Sequence, residues 1–288
     1  MTSPAPATVR PALDADLEAI TRILEANDEP VSWPGVPRAP YVDHLLTRPG
    51  LRLVVGELDG VVAGVAGSIE VGGPKRRFLT DLYVDPSRQS RGIGTALLRA
   101  ALDGAEQRMT FSSSDPRALA AYIRSGMQPW WPLLYLEFEA NLLGDGQPGV
   151  ETRASDVTET ASLSKAWTGI DRTADFAFYA RLPEAHGFVV TIDGEIAALG
   201  WARKELHAPG RWLDHATFAP GADATRAAFG ILRAAAHDQR LGAAVPGPHP
   251  AVAELLDHGA RIGGTDTFCA TERDLLDPAS LFPSPGTL

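Results

Sequence analysis

The sequence has 288 residues, 44% of them hydrophobic, and its 26 Lys and Arg against 36 Asp and Glu give a formal net charge of −10. That negative charge disfavours nucleic acid or an anionic membrane surface as the main partner. The single cysteine, Cys269, excludes an intrachain disulfide and is expected to be a buried, unreactive residue. No stretch reaches the length of a membrane span and the first residues lack a signal-peptide core, so we expect a cytoplasmic protein that binds no membrane.

The first half of the sequence alternates strand and helix patterns. After a short extended stretch, apolar residues recur at helical spacing from Leu17 to Leu24. A Pro-rich loop and a short helix follow, and then Asp59-Gly60 separates two strand-like runs and predicts a hairpin turn. Strand, helix, strand, helix and strand patterns complete this half, so its predicted order is β-α-α-β-β-β-α-β-α-β.

The second half repeats the first at a constant offset in residue number. Asp59-Gly60 recurs as Asp193-Gly194, Pro86 recurs as Pro220 at the same offset, and a linker rich in Gly occupies residues 141–150. We therefore predict an α/β (α+β) fold with two tandem domains, each a mixed, mostly antiparallel sheet flanked by helices. The predicted domains are residues 1–142 and 150–288.

Two glycines, Gly92 and Gly94, lie where a strand pattern passes into a helical pattern. The first amides of a helix have no internal acceptor and carry partial positive charge, and glycine leaves them accessible, so this turn suits an anion such as a phosphate. The turn is not a P-loop, because G-K-[ST] is absent, and Leu97 replaces the third glycine of a dinucleotide fingerprint. The two glycines alone also fit a tight turn that binds nothing.

The stretch Gln89-Ser90-Arg91-Gly92-Ile93-Gly94 fits the pattern [Q/R]-x-x-G-x-[G/A] and follows Leu82-Tyr83-Val84-Asp85-Pro86. This combination resembles the acetyl-CoA-binding segment of the GNAT superfamily of N-acetyltransferases. The resemblance covers roughly residues 7–140 and is traceable over 150–270. The two-copy layout is similar to that of tandem GNAT proteins, of which mycothiol synthase is one.

The resemblance implies an N-acetyltransferase that takes an acetyl group from acetyl-CoA, its co-substrate, to a small-molecule amine. In the family, amides at the helix start hold the pyrophosphate and the preceding strand pairs with the pantetheine arm. Gln89 would then shape the loop, Arg91 could add a contact to phosphate, and the amide of Val84 would donate to the thioester oxygen. The cofactor-binding residues implied in this way are Leu82, Tyr83, Val84, Gln89, Ser90, Arg91, Gly92, Ile93, Gly94 and Thr95.

The same resemblance implies a tyrosine four residues before the glycine that ends the following helix. Here that residue is Tyr122, which would protonate or hydrogen-bond the departing sulfur. Asp81, on the same face of the strand as Tyr83, is the candidate general base. The base remains open, since Glu70, Asp28 and Glu29 are rivals. No metal site is expected.

Two further features bear on the acceptor and on metal binding. The acids around Trp33 could recognise a cationic acceptor, because an aromatic face also attracts cations. The histidines show no metal-ligand spacing, and His207 and His215 are expected to be solvated in or near a loop. The identity of the acceptor amine stays open.

The second copy lacks the residues that the chemistry requires. Asp223 replaces Gln89, Arg226 replaces Gly92, Ala228 replaces Gly94 and Leu255 replaces Tyr122. We therefore expect only the first copy to bind acetyl-CoA, while the second completes the core, walls the acceptor cleft or mediates pairing in a homodimer. The alternative function is a non-catalytic acyl-CoA-binding regulatory module. A scaffold that binds neither substrate is a third reading.

Overall fold

The computed structural model describes residues 7–29, 31, 39–73, 75–144, 146–206 and 208–288. The chain divides into two compact units. The first contains residues Met1–Thr110 and Ala120–Met127, and the second contains Phe111–Leu119 and Gln128–Leu288. The predicted boundary near residues 142–150 stays a prediction. Among the residues that the structure describes, none of the helices combines the length and apolarity that crossing a membrane requires.

The first unit is built on a sheet with the strand order β1-β2-β3-β4-β5, in which only the β4–β5 pair is parallel. Helix α3 packs against β2, β3 and β4. Strand β5 and helix α4 run from one unit into the other. The elements are β1 Thr8–Pro11, α1 Leu17–Glu25, α2 Pro40–Thr47, β2 Leu51–Leu58, β3 Val61–Glu70, β4 Arg76–Val84, α3 Ile93–Ala101, β5 Gln107–Ser112 and α4 Pro116–Arg124.

Local sequence accounts for these elements. Helix α1 buries Ile20, Ile23 and Leu24 on one face, as the helical spacing predicts. Asp59 and Gly60 both have positive φ and close the β2–β3 hairpin, which confirms the predicted turn. The order of helices and strands from β1 to the strand after α4 is the predicted one.

The second unit carries a sheet with the order β12-β6-β11-β10-β9-β8-β7, and β13 pairs with β10 beside this path. Strand β6, which belongs to the first copy by sequence, pairs with β11 and β12 of the second. The elements are β6 Gln128–Phe138, β7 Val150–Ser155, α5 Val157–Thr168, α6 Thr173–Tyr179, β8 His186–Ile192, β9 Glu195–Lys204, β10 Arg211–Phe218, α7 Ala224–Ala236, β11 Leu241–Pro246, α8 Val252–Asp257, β12 Arg261–Ala270 and β13 Leu281–Phe282.

The repeat extends to irregularities of the backbone. Strand β4 has a bulge at Thr80, where its register with β3 shifts, and β10 has a bulge at Asp214, the residue that the offset of the repeat pairs with Thr80. The element order of the second half reproduces that of the first. The mixed, mostly antiparallel fold with two copies of one pattern is therefore confirmed. Cys269 is buried, and burial raises the pKa of its thiol to about 11.

Candidate active site

The edge of β4 opposite β3 is the first component of the site. Parallel pairing of β4 with β5 ends at Phe78 and Met109. Near the end of β4, the N–H of Asp85 donates to the carbonyl of Ala63 on β3 at 2.9 Å. Because successive backbone groups of a strand point to opposite edges, the N–H of Val84 faces away from β3, toward the opening that begins where the pairing with β5 ends. The Val84 amide therefore points to this edge of the sheet.

The Val84 carbonyl is held from the side. It accepts hydrogen bonds from the side-chain amides of Gln89, at 3.3 Å, and Asn27, at 3.2 Å. Gln89 therefore ties the loop after β4 back to the strand, as expected for a residue that shapes this loop. Asn27, at the end of α1, was not predicted from the sequence.

The glycine-rich turn leads directly into α3. Ser90 and Gly92 have φ of 65° and 79°, and Gly92 is the N-cap residue of α3, where no described side chain caps the helix. The amides that open α3 are therefore oriented along the helix axis without a side-chain acceptor at this cap. A Cβ at Gly94 would make only an ordinary 3.6 Å contact with Val84 Cγ2, so the fold itself does not require a glycine there.

Arg91 lies on this turn with its guanidinium paired to Asp59 on the β2–β3 hairpin, at 3.2 Å between Nη2 and Oδ2. Both side chains are partly exposed. An exposed pair of this kind contributes about 0–1 kcal/mol. Breaking it therefore costs little free energy.

A buried carboxyl lies on β4, next to the open edge. Asp81 is only 5% exposed, and the Tyr41 hydroxyl on α2 donates to it at 3.1 and 3.2 Å. Burial raises the pKa of Asp81 to about 6, and the hydrogen bond from Tyr41 offsets only part of this effect. Gly67 on β3 makes room for Asp81, since a Cβ there would lie 2.5 Å from Thr80 Oγ1 and 3.1 Å from Asp81 Oδ2.

A second tyrosine–carboxylate pair lies on the same face. The Tyr83 hydroxyl donates to Glu29 Oε1 at 2.9 Å. Burial, followed by the negative charges of Glu29 and Asp81, raises the pKa of the Tyr83 phenol well above its ordinary value, and Tyr122 adds to this shift. Tyr122 is 6% exposed on α4. The structure thus brings Asp81, Tyr83, Tyr122 and Glu29 together.

The other candidate bases, Glu70 and Asp28, lie in surroundings unlike those of Asp81. Glu70 pairs with the buried guanidinium of Arg77 at 3.0 Å, near the start of β4 and away from the open edge. Asp28 is exposed, with a φ of 62° in the turn after α1. Trp33 itself lies outside the described residues, so its predicted role beside these acids stays a prediction. Among the rival bases, Glu29 is the one that reaches the cluster. Tyr41 was missed because nothing in a short helix with one tyrosine indicates a contact with a strand so distant in the sequence.

In the second copy, the equivalent helix start is occupied by the chain itself. The Asp223 carboxylate accepts from the amides of Thr225 and Arg226 at 3.1 and 3.0 Å and caps α7. The guanidinium of Arg226 pairs with Asp193 at 3.1 Å and donates to the Pro148 carbonyl at 2.6 Å. A carboxylate of the chain therefore already occupies the start of α7, which begins three residues earlier in the repeat than α3.

The centre of the second copy is filled as well. His215, at the position equivalent to Asp81, is fully buried against Phe176, with ring centroids 5.6 Å apart. The expectation that His215 is solvated is therefore wrong, because the repeat places it on an inner face of β10. Burial lowers its pKa well below the ordinary value, so it is neutral. Trp201, equivalent to Gly67, fills the adjacent space and stacks on Phe176. His207 lies outside the described residues.

Comparison with known proteins agrees with this geometry. Residues 17–127 match the acetyltransferase (GNAT) family model. A search of curated proteins finds no significant match. Over residues 17–127 the chain is thus similar to the GNAT acetyltransferases, a class of acyl-transferring enzymes.

Solved structures resemble the chain over nearly its full length. A Pyrococcus horikoshii protein provisionally described as an acetyltransferase is 17% identical, with 98% of this chain and 94% of that chain covered and a TM-score of 0.70. A tandem GNAT protein from the clavulanic acid biosynthesis pathway is also 17% identical, with 94% and 100% covered and a TM-score of 0.63. A GCN5-related N-acetyltransferase from Anabaena variabilis is 10% identical, with 92% and 72% covered and a TM-score of 0.64. At these identities the likeness establishes the fold alone, and tandem GNAT proteins share that fold.

Proposed function

We propose that the protein transfers an acetyl group from acetyl-CoA to a primary amine by direct attack, and that the active site lies in the first copy. The proposal depends on one observation, which is that three features lie next to one another in the first copy. An open edge of β4 ends at an uncapped helix start, and a buried, hydrogen-bonded Asp81 lies on the adjoining strand face. The second copy has lost each of these features.

Acetyl-CoA supplies a thioester, and the residues of the first copy fit its polar groups. The amides from Ser90 to Thr95 would hold the pyrophosphate at the start of α3. The backbone of Leu82 and Val84, which faces away from β3, would pair with the amides of the pantetheine arm. The Val84 N–H would donate to the carbonyl oxygen on which charge develops.

The carboxylates and phenols of the cluster divide the proton transfers. Asp81, with a pKa of about 6, is mostly ionised at neutral pH and basic enough to accept a proton from the amine, directly or through water. Glu29 is exposed beside Tyr83 and would attract the ammonium form of the acceptor. Tyr122 would donate a hydrogen bond or a proton to the departing sulfur.

A graft between the copies tests the donor site. In the first copy, Gln89→Asp with Gly92→Arg and Gly94→Ala introduces the residues of the second copy. Calorimetry with acetyl-CoA should then show affinity reduced by about 100-fold or more, because a carboxylate would cap α3 and a guanidinium would cover it. The matched control changes Asp223→Gln, Arg226→Gly and Ala228→Gly in the second copy and should leave the first site unaffected. Unchanged affinity in the first graft would refute the donor site.

A thiol-release screen against amine classes separates the enzyme from a regulatory module. An enzyme releases coenzyme A in proportion to amine added. Saturable binding of acetyl-CoA with no thiol release against any amine would favour the regulatory reading. Tyr122, buried on α4, favours the enzyme, since binding of the donor alone does not require a hydroxyl there.

A further inference from the structure

The groove of the second copy that corresponds to the donor groove of the first is not open. Strand β10, the equivalent of β4, pairs in parallel with β11 only up to Leu213 and Ala243. Beyond that point, β13 pairs antiparallel with β10, Ala216 opposite Phe282 and Thr217 opposite Leu281. Because β9 pairs with the other edge of β10, β13 lies on the side that faces β11, and it contacts β11 as well.

One hydrogen bond defines what this strand replaces. The N–H of Phe218 donates to the carbonyl oxygen of Ser280 at 2.9 Å. The offset of the repeat makes Phe218 the equivalent of Val84, whose N–H faces the open groove of the first copy. The neighbouring bonds repeat too, since Ala219 donates to Ala197 as Asp85 donates to Ala63. A peptide carbonyl therefore lies where the proposed function places the thioester carbonyl.

The rest of the 280–288 segment is anchored by buried contacts. The ring of Phe282 packs edge-on against Phe218 and His249, with centroids 5.0 and 4.9 Å apart. The Thr287 hydroxyl hydrogen-bonds Tyr179, and Leu288 is fully buried. Such burial on both sides of a short strand makes the segment a tightly held ligand of its own domain.

We propose that the 280–288 segment is an internal ligand of the second copy that occupies the groove equivalent to the acyl-pantetheine groove of the first. The groove between β10 and β11 is thus a binding site for an extended peptide, filled by the chain itself. Acetyl-CoA is excluded from the second copy by this segment in addition to the Asp223 cap. The identification of the replaced ligand as the acyl-pantetheine arm rests on the proposed function. The occupation of the groove by the segment does not.

Hydrogen exchange of the full-length protein at two equivalent amides tests the inference. Without ligand, the Phe218 amide should exchange at least about 30-fold more slowly than the Val84 amide, since among the residues that the structure describes only Phe218 has a backbone acceptor in its groove. Phe282→Ala should accelerate exchange at Phe218 by about 10-fold or more while Leu199, on the β9 side, changes less. Phe282→Leu, which keeps most of the packing, should give a smaller acceleration and serves if the alanine variant does not fold.

The control is Phe229→Ala, which removes a buried ring on α7 whose aromatic contact is with His258. It should not accelerate Phe218 selectively. The inference is overturned if Phe218 exchanges as fast as Val84 in the free protein, if both Phe282 variants leave it unchanged, or if acetyl-CoA slows it. If acetyl-CoA fails to slow exchange at Val84, the proposed function fails instead, and the comparison at Phe218 still stands.

Discussion

Replacing Asp81 with asparagine should make the protein more stable and much less active. The Asp81 carboxyl has a pKa of about 6, against an ordinary value of 3.8, because burial penalises its charged form. Between these two values the unfolded chain has released the proton and the folded chain still holds it, so stability falls as pH rises from about 4 to about 6. Above pH 6 the full cost is present.

The magnitude follows from the difference in pKa. The pKa of about 6 in the folded chain, against 3.8, corresponds to a loss of about 3 kcal/mol of folding stability at pH 8. This loss declines to about 1.5 kcal/mol at pH 5 and vanishes below the pKa of the unfolded chain. Asp81→Asn removes this cost while its amide oxygen can still accept from Tyr41. The variant should therefore gain up to about 3 kcal/mol at pH 8 and progressively less as the pH is lowered.

Urea unfolding at pH 5 and pH 8, followed by tryptophan fluorescence, measures the gain, and thiol release measures the activity. Loss of a general base should lower kcat by about 100-fold or more. The wild-type rate should rise with pH through about 6, as Asp81 ionises.

Asp214 supplies a matched control. It is 6% exposed at the corresponding bulge of β10, and burial raises its pKa to about 6. Asp214→Asn also removes an ion pair with Arg203 at 3.1 Å, so it should show a smaller gain in stability at pH 8, and it should not lose activity. If Asp81→Asn destabilised the protein at pH 8, or if both variants lost activity equally, the assignment of Asp81 as a buried base would be wrong.

Three further variants test the site. Gly67→Ala would force a Cβ to within 2.5 Å of Thr80 Oγ1, so it should lower the free energy of unfolding by about 1–3 kcal/mol and lower kcat. The control Gly264→Ala, whose Cβ would make an ordinary 3.5 Å contact, should change neither quantity. A fully active Gly67→Ala enzyme would contradict this prediction. Tyr122→Phe should lower kcat by about 100-fold with little change in the KM for acetyl-CoA. The control Tyr135→Phe, which loses a hydrogen bond to Asp266, should leave kcat unchanged. Equal kcat values for the two variants would exclude Tyr122 from the chemistry. Gly92 and Gly104 have φ of 79° and 74°, with open space around both. Replacing either with alanine should lower the free energy of unfolding by about 1 kcal/mol. Calorimetry should detect weaker acetyl-CoA binding only for Gly92→Ala.

The second copy keeps the architecture of the first but not its residues at the candidate site. The bulge of β4 is retained in β10, and the hairpin turn at Asp59 is retained at Asp193. At the positions of Gln89 and Gly92, the second copy has Asp223 and Arg226, whose side chains bond within the chain. Asp223 is the clearest case, since its carboxylate takes the amides that would otherwise hold an anion.

The order of helices and strands, the repeat and the loss of the glycines in the second copy could all be read from the sequence. Each depends on residues close together in the chain, as with the apolar spacing of α1, the Asp59-Gly60 turn and the positive φ that Gly92 adopts. The GNAT pattern likewise occupies one short stretch.

Other features were decided only by the tertiary structure. The bond from Tyr41 to Asp81, the pairing of β6 with β11 and β12, and the seating of the 280–288 segment on β10 all join residues that are far apart in the chain. His215 was misread as solvated for the same reason, since its burial depends on which face of β10 packs inward. Such contacts carry no local periodicity, because they form only when the folded backbone brings distant side chains into a shared, water-excluded interior.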